Sequence, residues 1–253
     1  MSLKLLFQLI TTLIICTNIT AATVLIDPGH GGEDCGAKAK VWKKKKLKVV
    51  CEKDIALKIA KKLKKFINET KRHRAYLTRT LDTTITLQKR ADMADIIKAD
   101  IFISIHLNAA TDKSSNGFET YYLNNHKDAA ITKIENVENR DLHGKEVVIN
   151  NILTDLVVER VAPESKKLGD NVHGELSKLL TKNYKMKDRG LKPGLFYVLA
   201  LSKRPSILLE AGFLTNNSEA SLVLDNWFHH LYAKYAAKGI ISYLDSISGP
   251  NLF

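Results

Sequence analysis

Short apolar runs alternate along the chain with longer stretches of helical period. The runs at 24–27, 75–78, 101–105, 117–123, 196–199 and 207–209 are rich in β-branched, aromatic and other apolar residues and predict strands. Between them, 53–66 repeats its apolar positions at Ile55, Ile59 and Leu63, the spacing of one helix face. Residues 87–98, 167–180 and 228–246 read as helices in the same way. Strands alternating with helices predict one α/β domain with a largely parallel sheet.

One stretch breaks this alternation. Residues 124–163 are too many for a plain connection. Their first half is polar, and their second, 147–160, is amphipathic with Ile149, Leu153, Leu156 and Val157 on one face. Pro163 is expected to end that helix. The pattern predicts an inserted helical arm whose apolar face must be buried somewhere.

The amino terminus stands apart. A positive start with Lys4, an apolar run from Leu5 to Cys16 and small residues at Ala21 and Ala22 form the pattern of a secretory signal peptide over 1–22. The run is short for a transmembrane helix, and bulky Ile15 disfavours a lipid anchor on Cys16. The functional domain is therefore expected at 23–253, outside the cytoplasm. The net charge of the 253 residues is +12, which suits an anionic polymer or membrane face as counter-surface. No nucleic-acid recognition motif accompanies it, so nucleic acid is not an expected partner. With Cys16 removed, Cys35 and Cys51 remain, either as a disulfide across the lysine-rich loop around Trp42 or as free thiols. Closing about 15 residues by a bridge is worth roughly 3 kcal/mol.

The chemistry collects at strand ends. The stretch VLIDPGHGG runs from an apolar strand into a glycine turn that carries His30. His106 ends the run IFISIH, and Glu210 ends ILLE. Glu52 opens the helix that follows the first loop. The carboxyl edge of an open α/β sheet is where ligands bind. Two imidazoles and a carboxylate are a catalytic zinc set, and a second carboxylate can move protons beside it. Each residue alone also fits a structural role, such as a hydrogen-bonded histidine or a first-turn acid; their joint placement favours the metal. His73, His126, His143, His173, His229 and His230 lack this context and are expected at the surface. Gly29 to Gly32 is not a phosphate loop, because no Gly-Lys-Ser/Thr follows.

The segments LIDPGHGGEDCGA, CEKDIALKIA, TRTLD, LQKRADMADIIKADIFISIHLNA, RGLKPGLFYVL and PSILLEAGFLTN resemble, in order, the motifs of the zinc-dependent N-acetylmuramoyl-L-alanine amidases of the bacterial cell wall. The resemblance covers nearly the whole chain after the signal. It implies a twisted mixed sheet of about six strands between helices. It implies one zinc held by His30, Glu52 and His106, with Glu210 as the catalytic general base and Asn108 supporting the ligands. The reaction implied is hydrolysis of the amide between N-acetylmuramic acid and L-alanine in peptidoglycan, for wall remodelling and daughter-cell separation.

Cys35 and Cys51 depart from the family pattern on either side of the lysine-rich loop, which favours their pairing; Cys51 is otherwise a rival to Glu52 for zinc. The arm at 124–163 resembles the inserted segment of amidases that separate daughter cells, in which a helix covers the zinc cleft until an activator protein withdraws it. On that likeness Ile149, Leu153 and Leu156 form the docking face, and Glu146 or Glu159 lies near the metal. An unregulated structural flap is the alternative. A periplasmic location is expected, or a secreted or wall-associated one if the host lacks an outer membrane. Two other functions use the same fold: a catalytically silent peptidoglycan-binding or regulatory protein, and a zinc peptidase acting on stem-peptide bonds. The complete set His30, Glu52, His106 and Glu210 favours the enzyme over the silent protein.

Overall fold

The computed structural model describes residues 21–43, 46–139 and 145–247. Residues 1–20 of the expected signal peptide, Lys44 and Lys45, and His143 lie outside the described residues, as do the side chains of Trp42, Glu146, Ile149 and Leu153; Ala22, the last residue of that expected segment, is buried against the core.

Six strands form one mixed sheet: β1 (Thr23–Pro28), β4 (Arg74–Leu77), β5 (Ile101–Asn108), β6 (Phe118–Leu123), β7 (Asp188–Gly194) and β8 (Ser206–Phe213). Their order is β4-β1-β5-β8-β6-β7. Every neighbouring pair is parallel except β6 with β8. A separate hairpin joins β2 (Lys38–Lys43) and β3 (Lys46–Cys51). Alternation along the central strands divides the core in two. Val24, Ile26, Ile103, Ile105, Ile207 and Leu209 face one layer, with Ile55, Ile59 and Leu63 of α1 (Glu52–Glu69) and Phe228, Ala236 and Ile240 of α7 (Asn226–Ile247). Leu25, Phe102, Leu208 and Tyr121 face the other, with residues of α2 (Leu87–Ile96), α3 (Ala129–Glu138) and α5 (Tyr197–Ser202). Among the described residues no helix is long and apolar enough to cross a membrane.

The structure corrects three expectations. Residues 196–199 are not a strand: Phe196 caps α5, and the strand lies just before it as β7. The segment DRGLKPG has two glycines and a proline, which hid it, yet β7 is an edge strand, where a missing N–H is tolerated.

Pro163 does not end a helix. A single helix α4, Lys145–Asn183, runs through it and contains both the arm segment and the core helix expected at 167–180. Pro163 removes one backbone donor, but the flanks are anchored on both sides. Val158 and Val161 enter one core layer, and Leu168, Val172, Leu176 and Leu180 the other. Leu156, expected on the docking face, is 62% exposed, and Glu159 is exposed as well.

His73, His173 and His229 are buried rather than at the surface. Each has polar partners inside: His73 the Ala22 N–H and Asp245, His173 Thr120 and Asp188, His229 the Val223 carbonyl. A buried imidazole is tolerated when it keeps at least one hydrogen-bond partner, as His229 does through Nε2 alone, and strand or helix context does not reveal that partner. A helix at α6 (Asn217–Val223) follows β8, capped by the Asn216 side chain.

Candidate metal centre

The carboxyl ends of β1, β5 and β8 lie side by side because these strands are parallel. His106 and Glu210 are direct register partners across β5 and β8. Glu119 at the start of antiparallel β6 is in turn the partner of Glu210. Parity therefore aims all three side chains to the same face of the sheet.

His30 reaches this edge through the glycine turn after β1. Its own φ is +57°, a left-handed conformation that histidine adopts more readily than most side chains. Two buried arginines secure the turn's carbonyls. Arg79 donates to Pro28 O and Gly29 O, while Arg90 donates to Pro28 O and His30 O. Asp27 ties the set together, accepting from Arg90, Thr78 and Ser104 at 2.6, 2.6 and 3.0 Å. Burial opposes ionisation of Asp27, but Arg90 and Thr78 bring its pKa below the usual value. Gly29 leaves room for the ligand cluster: a Cβ there would stand 2.4 Å from the His106 imidazole.

The His30 and His106 rings meet edge to face with centroids 4.8 Å apart. Glu52, the first residue of α1, stands between them, with Oε1 3.1 Å from His30 Nε2 and 3.0 Å from His106 Nδ1. Its oxygens also accept the backbone N–H groups of Leu107 and Ala37 at 2.8 and 2.7 Å. His30 Nδ1 bonds to Asp34 Oδ2 at 2.6 Å. That bond fixes the ring so that Nε2 points into the cluster, where it is buried without a directed hydrogen bond. A histidine whose far nitrogen is held by a carboxylate is the arrangement that orients metal-ligating imidazoles. The donor set and the orphaned Nε2 fit a divalent cation of zinc type.

Electrostatics concentrate here. Burial alone would lower the His30 pKa, but Glu52, Asp34 and Glu138 carry it up to about 11. Burial likewise opposes the Glu52 charge, and His30 and His106 hold its carboxyl well below the usual range. Glu210 goes the other way. It is buried, its Oε2 has no hydrogen-bond partner, and burial together with Glu52, Glu138 and Glu119 raises its pKa well above an ordinary carboxylate's.

Asn108 does not touch the imidazoles; its Nδ2 donates to Glu119 Oε1. Glu119 also accepts from Arg189 at 3.2 Å and from Lys192. Cys35 and Cys51 form a disulfide with Cα atoms 5.1 Å apart, which removes Cys51 as a rival ligand.

The acid that reaches the histidines from the arm is Glu138, at the end of α3. Its Oε2 lies 3.1 Å from His106 Nδ1 and 3.6 Å from His30 Nε2. His30, His106 and Glu138 together form a set able to hold a metal ion. Helix α3 starts at Asp128, whose side chain accepts the Ala130 N–H. Buried Glu135 fastens it, accepting from His126 at 2.6 Å and from the Leu195 N–H. Asn139 completes the attachment through Leu195 O and Tyr197 N, at 3.0 and 2.8 Å. Ala130, Ile134, Val137 and Glu138 form one wall of a cavity of about 550 Å³ that opens onto Glu52, Glu119 and Glu210. The Asp128 cap followed by Ile131 and Ile134 was the available signal for this helix.

Among known proteins, the family model for N-acetylmuramoyl-L-alanine amidases matches residues 24–242. The amidase LytC of Bacillus subtilis is 31% identical over 225 residues, which are 89% of this chain and 36% of the relative; the chain thus spans about a third of that protein. A solved N-acetylmuramoyl-L-alanine amidase from Clostridium difficile matches with a TM-score of 0.67 at 33% identity, covering 89% of this chain and 98% of the other. The CwlD amidase from Clostridioides difficile, solved in complex with the GerS lipoprotein, matches with a TM-score of 0.64 at 26% identity, covering 89% and 99%. The fold, the ordered motifs and this match across nearly the whole described chain agree: the chain belongs to the N-acetylmuramoyl-L-alanine amidase family.

Proposed function

We propose that this protein hydrolyses the amide between the lactyl group of N-acetylmuramic acid and the L-alanine of the stem peptide in peptidoglycan, using one zinc ion. The observation that carries this reading is the meeting of His30, Glu52 and His106 at one sheet edge, beside Glu210, whose Oε2 is buried without a hydrogen-bond partner. Zinc, when bound, supplies Lewis-acid polarisation of the scissile carbonyl. His30, Glu52 and His106 are its proposed ligands. Glu210 takes the proton of the attacking water and returns it to the departing alanine nitrogen. Burial and the neighbouring carboxylates raise the Glu210 pKa, which makes it a stronger base than an ordinary carboxylate. Asn108, Arg189 and Lys192 fix Glu119 beside it.

Helix α3 is the proposed inhibitory element. Glu138 takes the place that a substrate group would need beside the histidines, and α3 walls the cavity. An activator protein would withdraw it; the complex of a related amidase with a lipoprotein supports a partner of this kind. The proposed setting is wall remodelling and daughter-cell separation outside the cytoplasm, in a periplasm, after removal of a signal peptide at 1–22.

Mass spectrometry of purified peptidoglycan digested by the zinc-loaded protein tests the reaction, with Glu210→Gln as control. Free stem peptides beginning at L-alanine, lost by 10²-fold or more in Glu210→Gln, are expected. Cleavage inside the stem peptide would make the protein a peptidase. No release, even with α3 displaced, would support a binding role instead.

A further inference from the structure

The β2–β3 hairpin carries a feature that hydrolysis does not use. Between Lys38 and Cys51 the sequence has no acidic residue. Ala39 is buried, and Val41 and Val50 are partly buried against the core, so one face of the hairpin is fixed inward. The register then dictates the outer face. Trp42 pairs with Leu47 and Lys40 with Val49, and Lys40, Leu47 and Val49 lie on the side away from Ala39 and Val50. Leu47 and Val49 are 51% and 59% exposed, two large aliphatic side chains in water. Lys38 and Lys40 share that face and are exposed; Lys46 and Lys48 fall on the other side of the hairpin by the same register and are exposed as well.

We propose that this outer face docks on an anionic lipid surface. A hydrated polyanion would be served by the lysines alone and offers nothing to Leu47 and Val49. A bilayer interface of anionic lipids takes both, aliphatic groups at the headgroup–acyl boundary and ammonium groups among the phosphates. The hairpin is also built to transmit an orientation. The disulfide between Cys35 and Cys51 closes its base, and the residues just before it, Gly36 and Ala37, line the catalytic cavity. The Ala37 N–H is bonded to Glu52 at 2.7 Å. A docked hairpin would therefore hold the cavity mouth at a set position relative to the lipid surface.

The test is co-sedimentation with vesicles of phosphatidylcholine alone or with roughly one third phosphatidylglycerol, at physiological ionic strength. The intact protein and the double variant Leu47→Ser, Val49→Ser carry the same amino terminus, so lipid affinity of the first residues is common to both. Binding at least tenfold tighter to the anionic vesicles, and at least tenfold weakened in the double variant, is expected. Sedimentation with purified peptidoglycan should be the same for both proteins. In a Trp227→Phe background, Trp42 fluorescence should be quenched by brominated anionic lipid; this reading needs no change in the hairpin. Equal binding to the two vesicle types, undiminished binding by the double variant, or absence of quenching would overturn the proposal. So would parallel loss of peptidoglycan binding, which would assign the hairpin to the wall polymer. None of these readings depends on hydrolysis.

Discussion

Glu138 Oε2 stands 3.1 Å from His106 Nδ1, although the two residues belong to a peripheral helix and a central strand. An acidic side chain from α3 thus shares the pocket with the proposed metal ligands. Replacing Glu138 by Ala should raise basal peptidoglycan hydrolysis by about tenfold, the effect of removing roughly 1.4 kcal/mol of preference for the covered state. Initial rates of stem-peptide release, with thermal melting to show an unchanged fold, check this. A variant no faster than the parent would reduce α3 to a structural flap.

Asp27 holds Arg90 at 2.6 Å with both side chains buried, beneath the turn that presents His30. Asp27→Asn leaves the Arg90 charge unpaired and should cost about 3–5 kcal/mol of stability. The pH dependence has a definite sign. The Asp27 pKa in the folded protein lies below its ordinary 3.8. Its contribution is therefore complete above that value and is lost as pH falls through the lower, folded-state pKa. Denaturant midpoints measured from pH 6 down to pH 2 should converge for parent and variant only at the acidic end. A constant gap would argue against the ion pair as the source.

Gly36 has φ of +65°, and a Cβ there would lie 2.5 Å from Glu52 Oε2 and from His30 Cδ2. Gly36→Ala should displace both side chains and weaken zinc binding by about 10–100-fold, as perturbed supporting contacts do. Chelator competition reads this directly. Unchanged zinc affinity would mean that Glu52 and His30 do not act together.

His30, His106 and Glu210 were legible because each closes a run of apolar residues that a buried strand explains, although β8 itself continues past Glu210 to Phe213. Glu52 was legible as the acid opening the following helix. Glu138 was not, since the Asp128 cap and the spacing of Ile131 and Ile134 mark a short helix but not that its last residue reaches the histidines at the sheet edge. Glu119 was hidden for another reason: it looks like the polar position of an ordinary strand, and only the antiparallel register of β6 puts it opposite Glu210. The continuity of α4 through Pro163 was illegible because it rests on Val158 and Leu168 entering separate core layers. That is tertiary packing overriding a local breaker. The hairpin escaped notice because its strands are interrupted by lysines and only one face is buried.

His30, Glu52 and His106 form the proposed metal centre. Zinc bound per chain, measured by elemental analysis after dialysis against trace zinc, tests it in the intact protein and in His106→Ala. One zinc per chain is expected in the first and substantially none in the second, with both folded. Equal zinc in the two proteins, or none in either, would contradict it.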